Sequence, residues 1–338
     1  MVEGRSFSPA VRHEGAENTL QGPEPPNTLC GGAKAPPFRQ KAEIMLQIER
    51  ILCPVDFSVF SARAYDYAQS LARHYQAKLF LQHVVDFNLP AYAYYVPANL
   101  LVEHMEQVRN DAMLQLQEFA KRPSDYGAPP ERILHEGAPV NTILSFAGVQ
   151  KVNLIVMGSH GLQGADHIAL GSVTEKVLRK ASCSVLVVRN PEHDFISPGS
   201  AQDPIQLHKL LLCTDFSEYS KTALEHAISI AAEYNAELSV LHVLEDMPAS
   251  KDLQSVIQPL LGRLEQTIPA EACGRCIIKP LVRIGKPYLE IIQEAAEAKT
   301  DAVIMGVRGR NALDLAVFGS TTHRVIQLGP CPVLAVHV

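Results

Sequence analysis

The stretch "ILCPVDFS" at residues 51–58 returns as "LLLCTDFS" at residues 210–217, and this repetition decides the fold. Each version is an apolar run that ends in Asp-Phe-Ser and is followed by apolar residues at helical spacing. Later segments recur as well, since "LIVMGSHG" at 154–161 matches "VIMGVRG" at 303–309. Agreement at several aligned features indicates a tandem duplication.

Within each copy, short apolar runs rich in β-branched residues alternate with amphipathic segments. This alternation predicts a parallel sheet that is covered by helices on both faces. The predicted strands lie near 50–55, 79–85, 132–136, 152–157 and 184–188 in the first copy, and near 209–213, 237–243, 277–283, 301–305 and 332–337 in the second.

The two copies predict two domains, at residues 45–190 and 207–338, joined by a linker at 191–206. The linker is rich in Pro, Gly, Ser and Asp and has no apolar periodicity. Residues 1–44 are rich in glycine and proline and lack apolar periodicity as well. We therefore expect them to form a disordered N-terminal extension.

Composition limits the classes of function. The net charge of −6 gives no attraction to nucleic acid or to an anionic membrane, so we expect neither as a partner. Seven cysteines, an odd number in a chain of 338 residues, indicate a reducing compartment rather than a disulfide framework. No apolar stretch reaches the roughly 18 residues of a membrane span. We expect a cytoplasmic protein.

Glycines follow the fourth predicted strand of each copy at fixed intervals. Gly158 ends that strand, Gly161 permits a tight turn, and Gly171-Ser172 opens a helix. The same intervals recur in the second copy at Gly306, Gly309, Gly319 and Ser320. Glycine lets a backbone approach an anion closely, and a helix N-terminus binds phosphate oxygens, so the pattern predicts a phosphate site. The alternative is that the glycines only turn the chain and that the serines are ordinary helix caps.

An aspartate and a valine recur at the ends of the first two strands. Asp56 and Asp215 could accept hydrogen bonds from ribose hydroxyls, or each could be a turn residue. Val84 and Val243 could flank a base, or each could belong to the core.

With these motifs the chain resembles the universal stress protein family. Gly, two residues, Gly, nine residues and Gly-Ser is similar to that family's ATP-binding signature, and "PVDFS" and "TDFS" are similar to its first strand–helix junction. The resemblance implies a Rossmann-like α/β fold of the adenine nucleotide α-hydrolase type. It implies two tandem five-stranded parallel sheets in the order 3-2-1-4-5, flanked by helices, with the nucleotide between strands 1 and 4.

The resemblance also implies the site residues. Adenine and ribose would lie beside Pro54, Asp56 and Val84, and the ribose and phosphates would lie beside Met157, Gly158, Gly161, Gly171, Ser172 and Val173. The corresponding residues of the second copy are Asp215, Val243, Gly306, Gly309, Gly319 and Ser320. In that copy Cys213 replaces the family's proline and Thr321 its valine, so nucleotide binding is expected more firmly of the first copy.

The ligand that the resemblance implies is ATP, or AMP or ADP, with or without Mg²⁺, in a regulatory role in stress response. Family members commonly dimerise through their last strands. Here residues 185–188 and 333–336 could pair within one chain, which would give an intramolecular pseudo-dimer and would cover an exposed sheet edge. A homodimer of whole chains stays open beside it.

Two other classes of function remain open. One is an ATP-activating or nucleotidyl-transfer enzyme of the same α/β class, and the other is an interaction protein with both sites empty. Dedicated catalysis is not predicted, because the sequence has neither a Walker loop nor a nucleophile elbow, although slow ATP hydrolysis stays compatible with it. Cys273 and Cys276 are interpreted as incidental thiols, and the tyrosines at 92, 94 and 95 as either a lid or local packing.

Overall fold

The computed structural model describes residues 47–87, 96–121, 129–161, 170–189, 195–196, 205–246, 252–308 and 319–337. Within these residues the chain forms one ten-stranded sheet with helices on both faces. The predicted N-terminal extension, the tyrosines at 92, 94 and 95, and Gly309 lie outside the described residues.

The elements of the first copy follow the predicted alternation of strands and helices. They are β1 (Arg50–Pro54), α1 (Val59–Tyr75), β2 (Lys78–Val85), α2 (Ala98–Ala120), β3 (Glu131–Glu136), α3 (Pro139–Val149), β4 (Leu154–Gly158), α4 (Ser172–Lys180) and β5 (Ser184–Val188). All five predicted strands of this copy are confirmed, with ends that differ by two residues at most.

The second copy repeats this order. Its elements are β6 (Lys209–Cys213), α5 (Glu218–Tyr234), β7 (Glu237–Leu244), α6 (Leu253–Thr267), a 3₁₀ helix (Ala270–Gly274), β8 (Ile277–Ile284), α7 (Pro287–Glu297), β9 (Ala302–Gly306), α8 (Ser320–Leu328) and β10 (Val333–Val336). Its five predicted strands are confirmed as well.

The strand order is β3-β2-β1-β4-β5-β10-β9-β6-β7-β8, so each copy has the predicted order 3-2-1-4-5. The prediction of two separate five-stranded sheets is wrong. β5 and β10 pair antiparallel, with Leu186 opposite Leu334, and join the halves into a single sheet. The physical reason is that each last strand would otherwise leave a row of backbone N–H and C=O groups without partners. The pairing of residues 185–187 with 333–335 is the intramolecular contact that the family resemblance implied.

The core forms two layers, one on each face of the sheet. Alternate residues of a strand contribute to opposite layers, as Ile51 and Leu52 show in β1. Helices α1, α2, α5 and α6 pack on one face, and α3, α4, α7 and α8 pack on the other.

The repeated Asp-Phe-Ser is a tight turn from strand to helix in both copies. Phe57 has a φ of +66° and Phe216 a φ of +63°, a left-handed conformation that is uncommon for residues other than glycine. The serine that follows is the helix N-cap, since Ser58 Oγ accepts from the Ser61 amide and Ser217 Oγ accepts from the Ser220 amide. This turn fixes where the aspartate stands at the end of the strand.

Helices α1 and α5 also meet where the two copies join. His74 Nε2 lies 2.6 Å from Glu233 Oε1, and the Tyr75 hydroxyl donates to Glu233 Oε2 at 3.0 Å. The contact of the copies therefore extends from the sheet to the helices above it. In the part of the chain that the structure describes, no helix is both long and apolar enough to cross a membrane.

Candidate functional site

A cavity of about 1040 Å³ opens at the carboxyl ends of β1 and β4 in the first copy. In an open parallel sheet, ligands bind at this edge, where the strand order reverses. The cavity is lined by all nine residues that the sequence analysis assigned to the first site, namely Pro54, Asp56, Val84, Met157, Gly158, Gly161, Gly171, Ser172 and Val173. The fold thus brings three separate segments of the sequence together around one space.

Asp56 stands between the turn and the cavity. Its Oδ1 accepts from the Ser58 amide at 3.1 Å, which is the turn role that the sequence left open. A Cβ atom on Gly161 would lie 2.4 Å from Asp56 Oδ2, so the second carboxylate oxygen approaches the glycine loop. Asp56 therefore holds the turn with one oxygen and lies beside the glycine loop with the other.

Helix α4 begins at the cavity wall without a side-chain cap. Gly171 is the N-cap and has no side chain to accept from the first amides, and Ser172 is the first helical residue and is exposed. The interpretation of Ser172 and Ser320 as ordinary caps is therefore wrong, because Gly319 is the N-cap in the second copy. Thr174 Oγ1 donates to the Gly158 carbonyl at 2.8 Å and ties this helix start to the end of β4.

Gly158 and Gly306 have a packing role. A Cβ on Gly158 would lie 2.8 Å from the carbonyl carbon of Phe60, and a Cβ on Gly306 would lie 2.9 Å from that of Tyr219. Only glycine lets these strand ends approach the first turns of α1 and α5 so closely. The first glycine of each loop is thus required by the fold in addition to any ligand role.

Several cavity residues were missed by the sequence analysis. They are Val55, Ser61, Gln82, His83, Asp86, Ala138, Pro139, Val140, Asn141, Ile143, Leu170, Thr174, Lys176 and Lys180. A detectable signal existed for Gln82, which is a lone amide in the apolar run of β2. His83 was detectable too, because it recurs as His242 in the second copy.

His83 links the first two strands next to the cavity. Its Nδ1–H donates to the Val55 carbonyl at 2.7 Å, and its ring lies 4.4 Å from that of Phe57. Burial lowers the pKa of His83, and the hydrogen bond to Val55 and the carboxylate of Asp56 oppose this only in part. The neutral ring is therefore favoured in the folded chain.

In the second copy the equivalent positions are occupied by larger side chains. Tyr288 stands where the first copy has Val140, and Arg324 stands where it has Lys176. The Arg324 guanidinium lies 4.5 Å from the centre of the Tyr288 ring, so the two side chains stack on each other. Arg308, which precedes Gly309 in the second glycine loop, donates to the Tyr219 hydroxyl at 3.1 Å.

The predicted residues of the second site lie at the matching places, with Gly309 outside the described part. Asp215 Oδ1 accepts from the Ser217 amide at 3.0 Å, as Asp56 does from Ser58. Val243 lies in β7, and Gly306 ends β9. The frame of the first site is thus repeated, while its side-chain lining is different.

The chain is a doubly wound α/β protein with a cavity at the strand ends, the edge at which ligands bind in sheets of this kind. The model of the universal stress protein family matches residues 47–189 and 206–337, which together make up most of the chain. The chain belongs to the universal stress protein family.

Individual proteins agree with this assignment. The chain is 34% identical over 145 residues to universal stress protein YxiE of Bacillus subtilis, a match that covers 41% of this chain and 98% of that protein. It is 25% identical over 244 residues to universal stress protein Rv2623 of Mycobacterium tuberculosis, with 69% and 76% covered. The crystal structure of a universal stress protein from Archaeoglobus fulgidus shares the fold, with a TM-score of 0.64, 23% identity, and 87% and 98% covered.

Proposed function

We propose that the first copy binds an adenine nucleotide, ATP or its products ADP and AMP, and that the chain thereby has a regulatory role in stress response. The observation that carries the proposal is the cavity, which gathers the turn of Asp56, the glycine loop and the start of α4 around one space. Its volume of about 1040 Å³ lies at the upper end of ordinary ligand pockets.

The chemistry of the walls suits the parts of a nucleotide. The first amides of α4, which no side chain caps, would bind phosphate oxygens, and the helix dipole favours negative charge there. Lys176 lines the same cavity and adds positive charge. A carboxylate accepts hydrogen bonds from ribose hydroxyls, which is the role we assign to Asp56.

Magnesium would arrive with the nucleotide rather than bind a protein cluster of its own. Among the described residues, no group of three or more His, Cys, Asp or Glu side chains could hold a metal ion. Mg²⁺ commonly keeps several waters and takes its other ligands from substrate phosphates and one or two carboxylates. Among the described residues that line the cavity, Asp56 and Asp86 carry the carboxylates that could do this.

The stacked Tyr288 and Arg324 make the second copy a poorer candidate for the same ligand, since they stand where Val140 and Lys176 line the first cavity. A regulatory role requires that the nucleotide bind two conformations of the chain with different affinity. We propose that this difference arises at the first copy.

Equilibrium binding of labelled ATP to the whole chain, to Gly161→Val and to Gly309→Val tests the proposal. The expected result is a loss of affinity of at least about tenfold in Gly161→Val, because the new Cβ would displace Asp56 Oδ2. Gly309→Val is the matched control at the equivalent position of the second copy. Absence of binding to the unmodified chain would favour an interaction protein, and steady turnover that Gly161→Val abolishes would favour an enzyme.

A further inference from the structure

A buried amide in the wall of the first cavity has one polar atom without a partner. Gln82 is 0% exposed in β2 and is one of the residues that line the cavity. Its Nε2 donates to His135 Nδ1 on the neighbouring strand β3 at 2.8 Å. Among the described residues, no donor reaches its Oε1. Burying an acceptor in this way is unfavourable, so the position points to a donor that a ligand supplies.

The surroundings of Gln82 define what kind of ligand fits. Phe80 and Val84, two residues before and after it, belong to the layer of α3 and α4, so Gln82 points to that face of the sheet. Val84, Val140 and Ile143 line the same cavity and are apolar. The cavity wall thus offers one hydrogen-bond acceptor, Gln82 Oε1, among apolar side chains. A flat apolar group with an N–H at its edge fits such a wall, and a nucleobase with an amino substituent is a group of this kind.

We propose that Gln82 selects the base in the first copy, its Oε1 accepting a hydrogen bond from the exocyclic amino group of adenine. This inference rests on the proposed function, because it assumes that a nucleotide occupies the cavity. Because Gln82 Nε2 is already engaged by His135 Nδ1, Oε1 is the amide atom that is left for a ligand among the described residues. Hypoxanthine carries an oxygen at the place of the amino group, so two acceptors would face each other without a proton between them.

The second copy has different residues at the positions of Gln82 and His135. Leu241 stands at the position of Gln82 and Arg283 at the position of His135. Leu241 is buried, with 1% exposure, in a strand of the same geometry. Leucine therefore fits the fold at this position, which makes Gln82→Leu a suitable variant.

The experiment compares the affinities of ATP and inosine triphosphate by calorimetry, which also counts the sites. Both nucleotides are titrated into three proteins, namely the unmodified chain, Gln82→Leu, and Gln69→Leu as a matched control. Gln69 lies on α1 and also has a buried amide nitrogen that no described residue contacts by a hydrogen bond, and it is not among the described residues that line the cavity. We expect a preference for ATP of about tenfold in the unmodified chain and in Gln69→Leu, and a preference below about threefold in Gln82→Leu.

The outcomes separate the two proposals. Binding of ATP with the same preference in Gln82→Leu would overturn the role of Gln82 and leave the proposed function standing. If the unmodified chain preferred inosine triphosphate and Gln82→Leu removed that preference, the amide nitrogen would face the cavity. This result would also overturn the proposed role of Gln82. No binding of either nucleotide to the unmodified chain would overturn both. If Gln82→Leu fails to fold, Gln82→Met, which keeps the length of the side chain, is measured instead.

Discussion

Asp56 Oδ2 occupies the space that a side chain on Gly161 would need, since a Cβ there would lie 2.4 Å from it. The two residues are separated by more than a hundred positions in the sequence, and the parallel pairing of β1 with β4 brings them together. The glycine and the carboxylate are thus in close contact. A substitution at either residue should displace the other.

The charge of Asp56 can be removed without removing its turn. Asp56→Asn keeps an oxygen that accepts from the Ser58 amide, so we expect the free energy of unfolding to change by less than about 1 kcal/mol. Loss of the charge should weaken ATP binding about five- to tenfold, because hydrogen bonds to charged groups are stronger. Calorimetry and thermal unfolding measure the two effects. Asp215→Asn is the matched control, and equal affinity in Asp56→Asn and the unmodified chain would contradict this role.

Gly158→Ala tests the packing role of the first loop glycine. The new Cβ would meet the backbone of Phe60 at 2.8 Å, and backbone cannot move aside as a flexible side chain can. We expect the free energy of unfolding to fall by about 1–3 kcal/mol, measured by urea denaturation.

Gly148→Ala is its control, because nothing lies within 4 Å of the Cβ position on this residue of α3. Alanine should stabilise the helix there by about 0.5–1 kcal/mol. If both variants changed stability alike, close approach at Gly158 would not be the cause.

The contact between β5 and β10, which joins the two copies, should contribute to the free energy of unfolding as the hydrophobic core does. Leu334 is 7% exposed and lies opposite Leu186 in the β5–β10 pair. Leu334→Ala should lower the free energy of unfolding by about 2–5 kcal/mol. Leu114→Ala, at a side chain that is 60% exposed, should change it by less than about 0.5 kcal/mol. A small effect at Leu334 would mean that β5 and β10 do not pair within the chain in solution.

The lowered pKa of His83 gives a pH dependence with a defined sign. The unfolded chain protonates this ring near its ordinary value of 6.5, and the folded chain does so only at lower pH. Below about pH 6.5 the unfolded state therefore binds more protons at this ring than the folded state does. Stability from the neutral ring is complete above about pH 6.5 and is lost as the pH falls below it.

Urea denaturation across this range, and NMR titration of the histidine rings, measure the effect. The unmodified chain should lose more stability on acidification than His83→Gln. His104→Gln, at an exposed position on α2, should behave as the unmodified chain does. A ring of His83 that titrates at or above its ordinary value would refute the expectation.

The sequence was sufficient for the elements and for most of the first cavity. Strands could be located because buried parallel strands are continuous apolar runs, and the duplication let each copy check the other. The Asp-Phe-Ser turn and the glycine intervals located the carboxyl edge of β1 and β4 in the same way. The contact between the last strands of the two copies was expected only from the family resemblance, because nothing in the pattern of one strand shows which strand covers its edge.

The role of Gln82 could not be read from the sequence. Its Nε2 bonds to His135, which is 53 residues away along the chain, and only the folded structure shows that no described residue donates to its oxygen. The stacking of Tyr288 on Arg324 likewise depends on the approach of α7 to α8. Such pairings across elements are decided by packing, which a linear pattern does not contain.

The antiparallel pairing of β5 with β10 has a consequence for how the halves coexist. Two separate subunits would part on dilution, whereas halves that share a covalent chain stay together at any concentration. The cavity linings of the two halves can then differ, because the association of the halves does not depend on identical surfaces. In the sheet formed by the described residues, the two terminal strands are β3 and β8, one contributed by each half.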